Sequence, residues 1–295
     1  SEEKQKSFIQ ENKRVQEEFR EKFLSKRTAK PLLSINDARE RAFKIDWQQQ
    51  DISNPKFTGI RIESDFPLDT LVDFIDWSPF FHAWELRGRY PKIFEDEYVG
   101  DKAKELFDDA QNLLSRILSE KLFTAKCVYG LFAANRVGDD IEIYSDESRK
   151  KCIKKFHFLR QQNDKSKDEN RSLADYVAAK GSGFKDHIGA FAVTAGHGVE
   201  EFAKSFEEDN DDYNSIMAKA LGDRLAEAFA ECLHKRVREE WGFGIDERLS
   251  GEELIREKYR GIRPAAGYPA SPDHTEKKLL WELLDVERHI GIRLT

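Results

Sequence analysis

Hydrophobic positions along the chain fall into two periods, which predict helices flanking a small group of strands. Residues 1–29 are mostly Glu, Lys, Arg and Gln, and Phe8, Val15, Phe19 and Phe23 recur among them at helical spacing. This predicts a charged amphipathic helix that docks by its narrow apolar stripe and ends at Pro31. Ser34 offers an N-cap to a short helix over 35–42. Residues 57–63 alternate around Ile60 and Ile62 as a strand does. Pro67 opens a helical segment with Leu68, Leu71, Val72 and Ile75 on one face. It runs into an aromatic corner, Asp76-Trp-Ser-Pro-Phe-Phe-His-Ala-Trp84.

The second half of the pattern is stronger. Ala103, Leu106, Phe107, Ala110, Leu113, Leu114, Ile117 and Leu118 predict a helix over 101–120. Residues 126–132 read as a buried strand, 135–140 as a turn and 141–144 as a second strand. Residues 156–159 and 188–194 are further short strands, and 162–171 is a polar loop. The longest helix spans 211–240, with one broad apolar face from Tyr213 to Val237; at ~1.5 Å per residue it runs ~45 Å. Ser250 with Glu253 forms a capping box for a short helix ending near Tyr259. Asp273 with Glu276 forms another, for a helix carrying Leu279, Leu280, Leu283 and Leu284 and closed by Gly291.

One stretch fits neither period. Residues 260–277 hold three of the eight prolines, Pro264, Pro269 and Pro272. Proline fixes φ, so the path is stiff. Ala265, Ala266 and Gly267 leave the backbone open to close approach. Arg263 heads this run, and its guanidinium is a planar fork suited to a carboxylate or a phosphate. Two readings stand side by side: a ligand cradle, or a rigid connector whose Arg pairs with a nearby Glu.

Composition narrows the function classes. The chain has 295 residues, 39% hydrophobic and 36% charged, with a net charge of −7. An acidic chain without a basic block argues against nucleic acid as a partner. No apolar run reaches the length of a membrane span. Cys127, Cys152 and Cys232 form no paired framework, which predicts a reducing, cytoplasmic home. No phosphate-binding P-loop, dinucleotide glycine fingerprint, His-Glu-x-x-His helix or Gly-x-Ser-x-Gly elbow is present. His274 at a helix start reads as a capping or packing residue. Two features remain: the cradle with Arg263, and the aromatic corner with Asp76. Asp76 there is either a helix cap or a carboxylate on a pocket wall, where low dielectric strengthens its pull on a cation.

The cradle also carries a resemblance. Arg263-Pro-Ala-Ala-Gly-Tyr268, continuing through Pro269-Ala-Ser-Pro-Asp-His-Thr-Glu-Lys277, resembles the activation domain of cobalamin-dependent methionine synthase. So do Ile75-Asp-Trp-Ser-Pro-Phe-Phe81, Pro91 to Gly100, Ala134 to Tyr144, Gly189 to Thr194, Asp211 to Met217 and Lys219 to Glu231. The blocks fall in order, and the similarity covers about residue 32 to the end. The resemblance implies an α/β (α+β) fold: a single C-shaped domain with a twisted antiparallel sheet flanked by helices and one long central helix. It divides the chain into a helical linker over 1–31, leading from an upstream cobalamin-binding domain, and an S-adenosylmethionine-binding domain over 32–295. It also implies a further short aromatic segment beyond Thr295.

The implied role is reactivation. Such a domain presents the methyl group of S-adenosylmethionine to oxidised cobalamin, while a flavodoxin-like protein or flavoprotein reductase supplies an electron. The cobalamin is held mainly by the upstream domain, and this fragment alone is not expected to turn over. Carried over by position, Arg263 would bind the ligand carboxylate and Asp76 the amino end. Ala265, Gly267 and Tyr268 would line the ligand by their backbone, and Glu227 and Glu257 would lie near the sulfonium. The alternative is a stand-alone protein that reactivates a separate methionine synthase in trans; an independent methyltransferase lacks an acceptor-activating base. Arg149, Lys150, Lys151, Lys154 and Lys155 are the candidate basic patch for an acidic flavoprotein.

Overall fold

A 14-residue strand forms the middle of the molecule. In the computed structural model, which describes residues 2–26, 32–50, 52–164 and 168–294, five antiparallel strands make one curled sheet: β1 (Gly59–Phe66), β2 (Thr124–Val137), β3 (Asp140–Tyr144), β4 (Cys152–His157) and β5 (Asp186–His197). β2 runs through the whole sheet. Its one edge pairs with β5 over 124–134; its other edge pairs first with β1, from Ala125 to Leu131, and then with β3, from Ala134 to Val137. β2 and β3 join by a two-residue turn, where Gly138 takes a φ of 65°. β4 continues the sheet beyond β3.

Helices cover both faces. They are α1 (Glu2–Lys26), α2 (Ile35–Glu40), α3 (Ser78–Ala83), α4 (Gly100–Ser119), α5 (Val199–Glu208), α6 (Asp212–Trp241), α7 (Gly251–Ile255), α8 (Glu276–Leu284) and α9 (Val286–Ile290). Alternation along β2 sorts its side chains between two cores. Cys127, Tyr129 and Leu131 pack with Leu221, Leu225, Phe229 and Leu233 of α6 and with Leu114 and Ile117 of α4. Val128, Phe132 and Ala134 point the other way and pack with Leu284, Val286 and Ile290. α6 is long enough to back the sheet and carry the site beyond it. Asp211 caps its start by accepting from Asn214 N–H at 3.0 Å, and Gly242, at φ 103°, ends it.

Several expectations are corrected. The segment after Pro67 is a 3₁₀ helix over Leu68–Phe74. Leu68, Leu71 and Phe74 are three apart, a spacing that suits three residues per turn as well as an α-helix. Among the described residues the stripe of α1 is largely exposed, Phe8 by 70% and Phe19 by 69%. The predicted end of that helix, with Pro31, lies outside the described residues. Ile60 and Ile62, which revealed β1, sit on its exposed side. The last helix is two, broken where Asp285 adopts a φ of 48°.

The Asp273–Glu276 capping box does not form. Asp273 instead accepts from the Thr275 N–H at 2.8 Å and hydroxyl at 2.7 Å. Glu276 turns inward, accepts from the His157 N–H at 3.0 Å, and so ties α8 to the end of β4. Burial raises its carboxyl pKa. The basic patch is also largely consumed. Arg149 donates inward to the Ala134 and Asp186 carbonyls and the Asn135 side chain, and Lys154 pairs with Glu282 at 2.7 Å. Lys155 lies between Asp140 and Glu142, leaving Lys150 and Lys151 as its exposed, unpaired cations among the described residues.

Candidate functional site

The site is built on the C-terminal half of α6. Glu227, Glu231, His234 and Arg238 are spaced four, three and four residues apart, so they form one stripe along the helix. The chain folds back over that stripe after Gly242. The expected capping box is present: Ser250 accepts from the Glu253 N–H at 3.3 Å, and Glu253 accepts from the Ser250 N–H at 3.0 Å. It starts α7, which is a single turn. Glu257, at φ 54°, and Gly261, at φ 100°, then redirect the chain. Glu247 fixes the return. One oxygen accepts from Arg238 Nε at 3.0 Å and Nη2 at 2.9 Å; the other accepts from the Arg260 N–H at 3.0 Å.

The cradle holds its own shape. The Gly267 N–H donates to the Ser271 carbonyl at 2.9 Å, and the Ser271 N–H donates to the Tyr268 carbonyl at 2.9 Å. Gly267 has a φ of 100°, which favours glycine, and a Cβ there would lie 2.6 Å from Nε2 of the exposed His274 ring, which would have to shift. His274 is thus packed against the cradle, which spacing alone could not reveal. A second anchor comes from the Leu173 N–H, which donates to the Ala270 carbonyl at 2.8 Å. Ala265, Gly267 and Tyr268 are exposed, Tyr268 by 64%. A stiff backbone is therefore offered to solvent.

Arg263 is half-buried and donates through Nη2 to Glu231 Oε1. Glu231 was absent from the sequence-derived site, although it lies one turn beyond Glu227. Burial raises the Glu231 carboxyl pKa; Arg263 and Arg238 oppose the rise, while Glu257 and Glu227 add to it. Those mutual influences bring Arg263, Glu227 and Glu257 into one charge cluster around Glu231. Glu227 and Glu257 are exposed and carry no ion pair among the described residues. With Arg263 neutralised by Glu231, their two negative charges favour a cation nearby. Beneath them, Tyr259 lies edge-on to His234 with ring centroids 4.7 Å apart, and its hydroxyl pKa is raised by burial.

Asp76 stands in a different setting. It is half-buried at the head of α3 and accepts from the Ser78 N–H at 2.9 Å, the capping geometry. No hydrogen bond or ion pair joins it to Arg263 among the described residues. Its neighbourhood does reach α6 and α7: the 3₁₀ segment before it packs on both, and the Asp73 carbonyl lies 3.1 Å from where a Gly251 Cβ would be. The arrangement thus gathers an Arg paired with a carboxylate, an open stiff backbone and two further carboxylates, with Asp76 on a neighbouring corner. Among the described residues, no group of three His, Cys, Asp or Glu side chains could hold a metal ion, and no helix is long and apolar enough to cross a membrane.

Comparison with known families decides the lineage. The family model for the activation domain of vitamin B12-dependent methionine synthase matches residues 67–295. The chain belongs to this activation-domain family. A crystal structure of the MetH reactivation domain bound to AdoHcy is similar at 53% identity and a TM-score of 0.86, covering 90% of this chain and 82% of that one. The activation-domain fold is therefore the curled antiparallel sheet flanked by helices described above. Membership places the chain in the context of a methyltransferase enzyme.

Proposed function

We propose that this chain is the reactivation module of a cobalamin-dependent methionine synthase and binds S-adenosylmethionine in the cradle over 260–277. The observation that carries the reading is the juxtaposition of Arg263 with the exposed, self-bonded backbone of Ala265–Tyr268. The similar reactivation domain that holds AdoHcy supports the same ligand class.

The residues fit such a ligand by charge. Arg263 takes the carboxylate through its planar fork. The backbone of Ala265, Gly267 and Tyr268 lines the ligand, since Gly267 brings no Cβ into the approach. Glu227 and Glu257 stabilise the sulfonium, and Asp76 takes the amino end. When bound, the ligand supplies an electrophilic methyl group; the chain supplies its position. The cobalamin is held by an upstream domain of the same polypeptide, to which residues 1–31 lead. The electron comes from a flavodoxin-like protein or flavoprotein reductase. Lys150 and Lys151 are what the basic patch retains for such a partner.

Titration calorimetry of the chain with S-adenosylmethionine tests the binding step. Binding is expected, weakened at least tenfold by Arg263→Ala, a loss of ~1.4 kcal/mol or more. Equal affinity in the variant would remove Arg263 from the site.

A further inference from the structure

Arg263 and Glu231 leave a pattern of unused atoms that specifies their relationship. Nη2 of Arg263 donates to Oε1 of Glu231, while Arg263 Nε and Glu231 Oε2 are both buried without a hydrogen-bond partner. In a guanidinium, the Nε and Nη2 hydrogens lie on the same side and face a carboxylate side-on. The two unpaired atoms are therefore the second arm of a side-on fork whose first arm is already made. Closing it leaves the end-on edge, carrying Nη1, for a different carboxylate.

Glu231 is well placed to hold such a fork still. Phe229 and Leu233 beside it are fully buried, so its backbone is locked in α6, whereas Arg263 stands on an irregular segment. Burial raises its carboxyl pKa even with Arg263 against it. A second clamp, Arg238 with Glu247, whose other oxygen accepts from the Arg260 N–H, already secures the fold-back.

We infer that Glu231 is a positioning residue for ligand recognition, occupying the side-on edge of Arg263 and thereby orienting its end-on edge toward the carboxylate of the ligand. This rests on Arg263 being the carboxylate anchor. It makes Glu231 a determinant of specificity for ligands bearing an amino-acid carboxylate, since a ligand without one gains nothing from an oriented Arg263.

The test is a double-mutant cycle on the full chain, with Glu231→Gln, Arg263→Ala and the combination, titrated with S-adenosylhomocysteine and with 5′-methylthioadenosine, which lacks the amino-acid carboxylate. Glu231→Gln should weaken S-adenosylhomocysteine about tenfold and leave methylthioadenosine within about twofold. Adding it to Arg263→Ala should bring no further loss. Glu231→Ala should behave the same way, and thermal melts of each variant establish that it is folded. Equal weakening of both ligands, additive losses in the cycle, or no effect of either Glu231 change would overturn the inference. Should Arg263→Ala itself leave S-adenosylhomocysteine affinity unchanged, the anchor assignment fails instead, a separate outcome.

Discussion

His234 accepts a hydrogen bond from Arg238 at 3.0 Å, one turn further along the buried stripe of α6. An arginine can only donate, so the Nδ1 atom of His234 carries no proton. Burial, reinforced by the charges of Arg238 and Arg263, pushes its pKa down from 6.5 to about 3.

That depression predicts acid sensitivity. Below pH 6.5 the unfolded chain takes a proton on His234 that the folded chain refuses until about pH 3. The stabilisation is whole above pH 6.5 and is lost as the pH falls through that window. Relative to His234→Asn, which keeps an acceptor for Arg238, the native chain should lose ~1.4 kcal/mol per pH unit. Urea titrations of both proteins across pH 7 to 4.5 measure this difference; parallel pH profiles would contradict it.

Asp175 supports the cradle from the opposite side. It is buried beneath Arg160, accepting from Nη1 at 2.7 Å and Nη2 at 2.6 Å, and also from the Ser172 N–H at 3.0 Å. The turn it holds carries Leu173, whose N–H anchors the Ala270 carbonyl. Asp175→Ala leaves a buried guanidinium short of a partner and should cost about 3–5 kcal/mol in denaturant unfolding. A loss below about 1 kcal/mol would mean that Asp139 and the Asn170 carbonyl satisfy Arg160 without it.

Asp76 offers a way to separate structure from recognition. Asp76→Asn keeps an oxygen to accept from the Ser78 N–H and removes only the charge. If Asp76 holds the amino end of the ligand, this variant should melt within a few degrees of the native chain yet bind S-adenosylmethionine about tenfold more weakly. Unchanged binding would leave Asp76 with its capping role alone.

Much of this architecture was legible because it is local. The apolar face of α6, the buried run in the middle of β2 and the Ser250–Glu253 box each depend on residues within a few turns of one another. Where the sequence misled, a tertiary partner took the residue away. Glu276 belongs by spacing to a capping box with Asp273, but the His157 N–H, 119 positions away, claims it. Arg149 reads as part of a basic surface, yet the carbonyls of Ala134 and Asp186 draw it inward. Glu231 was missed for the same reason. It stands four residues from Glu227 on the predicted helix, but only the fold-back of the chain brings Arg263 to it. The two readings of residues 260–277 were rivals in the sequence; in the structure Arg263 pairs with a Glu within a stiff, open segment, so the features of both coexist.

On this reading the cradle over 260–277 is the ligand site. A crystal structure of this chain grown with S-adenosylhomocysteine tests it most directly. The ligand carboxylate is expected on the guanidinium of Arg263, its thioether sulfur beside Glu227 and Glu257, and its length along the backbone of Ala265–Tyr268. A ligand bound elsewhere on the sheet or helices, with Arg263 contacting Glu231 alone, would contradict it.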